Sequence, residues 1–187
     1  MQGAGSFLQE FLQAQEVELS PPRPQVIQRW RPPDLNIYKI NFDVAVFRAS
    51  NLAGVIVRDN KGDLIGALTM PVLFRQSVAK LEALACQRAV QFALEIGLTK
   101  VVVEGDSVTV IEALKNGMGQ FASYGNILDD IRFQSTCFQY VEFSYTSRVC
   151  NSVADVLAKK ASSSVGLQVW LEDLLEDIVP LVVRDVH

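Results

Sequence analysis

The sequence predicts an α/β domain whose sheet is covered by helices on both faces, and three observations predict it. From Tyr38 onward, apolar and polar residues alternate with period two, the pattern of a strand. KVVVEG at 100–105 is short, β-branched and apolar on both faces, the composition of a strand buried in mid-sheet. Between and after the strands, apolar residues recur at helical spacing.

In chain order, residues 1–20 carry Phe7, Leu8, Phe11 and Leu12 on one helical stripe. PPRP at 21–24 ends that stripe, because proline lacks the amide a helix needs. Residues 1–36 therefore read as a tail and linker, 37–165 as the main domain and 166–187 as a helical extension. In the first strand Ile40, Phe42, Val44 and Val46 alternate with Lys39, Asn41, Asp43 and Ala45. AGVIVRD at 53–59 and LIGALTM at 64–70 flank NKGD, whose Asn and Gly suit a tight turn, so the two form a hairpin. SVAKLEALACQRAVQFALEIG at 77–97 has a helical period, a Ser start signal and a Gly stop signal. After KVVVEG, helical stretches at about 107–116 and 123–136 precede a strand at YVEFSYT, 140–146, and SVADVLAKKA opens a helix at 152. The order is βββαβααβα.

Bulk properties restrict the function. The 187 residues, 49% hydrophobic, suffice for one filled core. A net charge of -4 and a pI near 5.0 exclude a broad basic face of the kind that grips phosphate, so any nucleic-acid contact is local or metal-assisted. Cys86, Cys137 and Cys150 have no metal-ligand spacing and form no complete disulfide framework, which fits a reducing intracellular compartment, nucleus or cytoplasm. The first residues lack the basic start and apolar core of a signal peptide, and no apolar run is long enough for a bilayer, so no membrane partner is expected.

The carboxylates carry the chemistry. Asp43 stands in mid-strand, on the face opposite Ile40, Phe42 and Val44. Glu82 heads a stripe of Ala85, Ala89 and Ala93, small residues that let a helix approach a sheet, so its side chain turns inward. Asp106 follows the apolar strand VVVEG, at the carboxyl end where open α/β sheets bind ligands. Asp155 lies on the late helix. Each has a plainer reading: Asp43 as a salt-bridged strand residue, Glu82 as the partner of a nearby Lys, Asp106 as an N-cap, Asp155 as an (i, i+4) pair with Lys159. Periodicity alone does not decide whether the four converge.

INFD before a three-stranded meander, LEALA on the first long helix, VEGDS after the fourth strand and NSVADVLAKKA near the end resemble the ribonuclease H type 1 domain. The resemblance covers residues 30 to about 165. WRPP at 30–33 is similar to the opening of the plant, reverse-transcriptase-like branch of retroelement origin. The resemblance implies a ribonuclease H-like fold: a five-stranded mixed sheet of order 3-2-1-4-5, strand 2 antiparallel, with helices on both faces. It implies Asp43, Glu82, Asp106 and Asp155 as metal-binding and catalytic acids holding two ions of Mg²⁺ or Mn²⁺. The implied substrate is the RNA strand of an RNA–DNA hybrid, with Ser107 and Asn151 as polar substrate contacts.

Two departures from the family pattern bear on activity. Val44 follows the first Asp where the family has Gly, and a β-branched side chain there hinders backbone approach of a substrate. Tyr145 stands where the family carries a His that assists proton transfer, and the only histidine is His187. Reduced activity is the expectation. The extension QVWLEDLLEDIVPLVVRDVH offers Trp170, Leu171, Leu174 and Leu175 for packing or for a protein partner, while its acids repel phosphate. Two functions stay open: a hybrid-cutting endonuclease, and a catalytically weak or inactive module that binds nucleic acid or protein.

Overall fold

A six-stranded mixed sheet of order β5-β4-β1-β2-β3-β6 organises the chain. The computed structural model describes residues 28–48, 50–72, 76–119, 122–160, 166–173 and 176–186. The Phe7–Leu12 stripe, PPRP, Leu174 and Leu175 lie outside them.

The strands are β1 (Tyr38–Val46), β2 (Asn51–Arg58), β3 (Leu64–Val72), β4 (Lys100–Gly105), β5 (Tyr140–Tyr145) and β6 (Gln168–Leu171). β1, β2 and β3 form an antiparallel meander, and β4 and β5 add in parallel on the other side of β1. This is the 3-2-1-4-5 order of a ribonuclease H-like fold, lengthened by one strand. The hairpin turn is held by the Asp59 carboxylate, which accepts from the Lys61 and Asp63 amides at 2.8 and 2.9 Å.

The helices are α1 (Val78–Glu95), α2 (Val108–Asn116), α3 (Gly125–Ser135), α4 (Ser152–Lys160) and α5 (Val179–Val186). The Ser77 hydroxyl caps α1 by accepting from the Lys80 amide at 3.3 Å. Ala85, Ala89 and Ala93 are fully buried, as their spacing predicts. They join Ile40, Phe42, Val44, Val55 and Leu68 in the core under α1, α2 and α3. A second cluster covers the opposite face, where Val153, Ala154 and Leu157 of α4 and Ile178 and Val182 near α5 pack on Ile56 and Ala67.

Gly54 lets α4 lie directly on the sheet. A Cβ there would stand 2.5 Å from both the Ala154 carbonyl oxygen and the Ala158 amide nitrogen, neither of which can rotate away. Gly54→Ala is expected to cost about 2 kcal/mol by overpacking, read as a lower urea midpoint at unchanged slope.

The extension departs from expectation. Its first element is β6, which pairs antiparallel with β3 from Gly66↔Leu171 to Thr69↔Gln168. QVWL is too short for its apolar spacing to choose between helix and strand, and the open edge of β3 supplies hydrogen-bonding groups that a helix could not use. Trp170 is spent on the second core cluster within the chain. The expected linker also differs, because Trp30 is only 3% exposed and its Nε1 donates to Asn41 Oδ1 at 2.9 Å.

Candidate active site

β1 and β4 run together only as far as Asn41↔Glu104. β1 continues beyond that pair without β4, still paired with β2, so Asp43 stands where the two parallel neighbours part and a crevice opens at the strand ends. Gly105 ends β4 beside Phe42, whose ring leaves no room for a side chain: a Cβ would lie 2.4 Å from its Cζ. The chain then bends at Asp106 before α2 starts. Ser107, not Asp106, occupies the N-cap, and its hydroxyl makes no capping bond. Glu82 comes from the first turns of α1, buried and turned to the sheet by its alanine stripe.

The three acids meet. One ligand oxygen from each of Asp43, Glu82 and Asp106 lies within 4.8 Å of the others. Asp43 Oδ1 accepts from the Val44 amide at 2.8 Å, whereas Asp43 Oδ2 and Glu82 Oε2 are shielded from solvent without a hydrogen-bond partner. Burial, reinforced by the Asp106 charge, pushes the Asp43 carboxyl up to about 7. Burial and then the Asp43 charge push Glu82 up to about 8, and burial raises Asp106. An all-oxygen donor set with two orphaned, buried oxygens fits a hard divalent cation, which would pair those oxygens and favour the ionised carboxylates.

Asp155 borders the same cleft but stands outside this group of three. Its Oδ2 accepts from Lys159 Nζ at 2.5 Å, and Arg148 Nη2 lies 3.7 Å from its Oδ1. The plainer pairing with Lys159 is therefore realised in the cleft wall itself. Ser107 lines the cleft. Asn151 does not border it: it is 1% exposed, donates to the Phe42 carbonyl at 2.8 Å and accepts from Asn41 Nδ2 at 3.3 Å. Its amide ties the start of α4 to the strand carrying Asp43. Val44 is buried in the core under α1 and also borders the cleft. Tyr145 lines a separate groove.

Sequence reasoning missed Arg148. It borders the cleft and its positive charge opposes the rise at Asp43, Glu82 and Asp106. It sits on a 3₁₀ turn, Arg148–Asn151, so the α-helical period from Asp155 does not point to it. A basic residue three positions before the NSVAD motif was the available signal.

The family model described as reverse transcriptase-like matches residues 41–161. The chain belongs to the reverse transcriptase-like family. No curated protein matches it in sequence. Among solved structures, RNase H1 of the halophilic archaeon Halobacterium salinarum NRC-1 is similar at a TM-score of 0.63 and 20% identity, covering 69% of this chain and 99% of its own. The N-terminal RNase H domain of a Mycobacterium tuberculosis protein, solved as a fusion with maltose binding protein, gives 0.61 and 17%, covering 68% and 94%. LC11-RNase H1, solved in complex with an RNA/DNA hybrid, gives 0.57 and 16%, covering 66% and 94%. At these identities the likeness concerns the fold, and this reverse transcriptase-like chain has the ribonuclease H-like fold.

Proposed function

We propose that the chain is a metal-dependent endonuclease that hydrolyses the RNA strand of RNA–DNA hybrids. The observation that carries this reading is the meeting of Asp43, Glu82 and Asp106, from three separate elements, at the strand ends of a ribonuclease H-like fold. Asp43, Glu82 and Asp106 would hold the metal, with Asp155 at the rim. Two bound Mg²⁺ or Mn²⁺ ions would supply an activated water and a charge on the leaving oxygen of the phosphodiester. Arg148, 72% exposed at its side chain, offsets the repulsion between clustered acids and an incoming phosphate. Ser107 offers a hydroxyl to the substrate from the cleft wall.

A weak or inactive interaction module is the second reading. It is favoured by Tyr145, which stands in place of the family's histidine and lines another groove. Cleavage of a labelled hybrid in Mg²⁺ and in Mn²⁺ decides between them. The parent is expected to cut, and Asp106→Asn to lose more than about a hundredfold, since even indirect partners of a metal commonly contribute 10- to 100-fold. A folded parent that cuts in neither metal leaves the module.

A further inference from the structure

The segment before β1 carries two arginines in a fixed setting. Trp30 is held by its bond to Asn41, and the Arg58 guanidinium lies 3.5 Å from its ring centroid. Lys39 Nζ donates to the Arg31 carbonyl at 2.7 Å, and Pro32 and Pro33 restrict the backbone that follows. In an extended chain, neighbours of an inward residue face outward together. Burying Trp30 thus brings Arg29 and Arg31 to one side, where both are exposed.

There they line a groove of about 550 Å³ with Gln28, Tyr145, Thr146 and Ser147. Among the described residues no carboxylate lines it, in a chain with 21 acids against 17 basic residues. Ser147 Oγ is shielded and has no hydrogen-bond partner among the described residues, while the Tyr145 ring is 48% exposed. The next residue, Arg148, lines the acidic cleft, so groove and cleft meet along 145–148.

We propose that this groove binds the phosphate backbone of the nucleic acid where it continues past the cleft; the proposal rests on the hybrid reading above. Guanidinium groups match phosphate oxygens in a two-pronged geometry, and the Thr146 hydroxyl donates to the same oxygens. Tyr145 offers a ring face to a sugar or base. Because Trp30 already fixes the backbone, little ordering is lost on binding.

The test is anisotropy of a labelled RNA–DNA hybrid in EDTA, in an Asp106→Asn background so that cutting does not intrude. Adding Arg29→Ala with Arg31→Ala is expected to weaken binding about tenfold near 0.1 M salt. The plot of log affinity against log salt becomes shallower by about 1 to 2, because each phosphate contact contributes about 0.9. Lys at both positions restores the slope, and Lys61→Ala on the hairpin turn changes nothing. An unchanged affinity and slope in the double alanine variant overturns the groove and leaves the hybrid reading standing. A parent that binds no hybrid, yet binds an acidic peptide through the same arginines, overturns both.

Discussion

In EDTA, Asp43→Asn is expected to melt at a higher temperature than the parent, and millimolar Mg²⁺ or Mn²⁺ to reverse that order. Asp43, Glu82 and Asp106 crowd three acids into one partly buried place, and the folded state resists their joint ionisation. The asparagine keeps the shape and removes one charge. The pH dependence follows from the shifted acids. Asp43 moves from 3.8 to about 7 and Glu82 from 4.5 to about 8 on folding, so between those limits the folded chain binds more protons than the unfolded one. Metal-free stability therefore falls as pH rises from about 4 to 8, and the penalty is fully present above about 8. Asp43→Asn flattens this descent. A cation bound only by the folded state adds about 2.7 kcal/mol at a hundredfold excess over Kd, or roughly 5–10 °C in a domain of this size. The variant loses most of that gain. Melting curves of both proteins at pH 5 and 8, with and without metal, check all three statements. An equal metal response in parent and variant removes Asp43 from the site.

Asp185→Ala is expected to cost about 3 kcal/mol, although the residue lies in the extension, far along the chain from the acids. Arg58 is 1% exposed, and its Nη1 donates to Asp185 Oδ2 at 3.0 Å. Burial pushes the Arg58 guanidinium down and Asp185 is the main group holding it up. Removing the carboxylate leaves a buried charge with Glu104, Asn41 Oδ1 and the Trp30 ring nearby. Such a loss lowers Tm by about 6–12 °C. Arg58→Met together with Asp185→Leu should recover most of it, because apolar packing replaces a buried ion pair at little net cost. If Asp185→Ala melts within about 2 °C of the parent, the pair does not hold α5 on the sheet.

The site was legible in the sequence to different depths. Asp43 could be assigned to its face because strand side chains alternate, and Glu82 could be turned inward because Ala85, Ala89 and Ala93 share its helical stripe. Asp106 was identifiable as the residue after an apolar strand. The placement of Asn151 was not legible: nothing local shows that the buried Phe42 carbonyl accepts a hydrogen bond from its amide. β6 was missed because a four-residue segment carries too few periods to outweigh the pull of an unpaired sheet edge.

By itself the sequence determined the order of elements as far as α4, the faces on which Asp43 and Glu82 lie and the family resemblance, because periodicity is a local property written within a few residues of each side chain. Only the tertiary structure decided that Asp43, Glu82 and Asp106 touch one space while Asp155 pairs with Lys159 and Arg148 beside them. It alone turned Trp30 and Asp185, from the two ends expected to be a linker and a helical extension, into partners of one buried guanidinium. Distances between elements depend on where β1 parts from β4 and how closely α1 and α4 approach the sheet, and those are settled by packing across residues far apart in the chain.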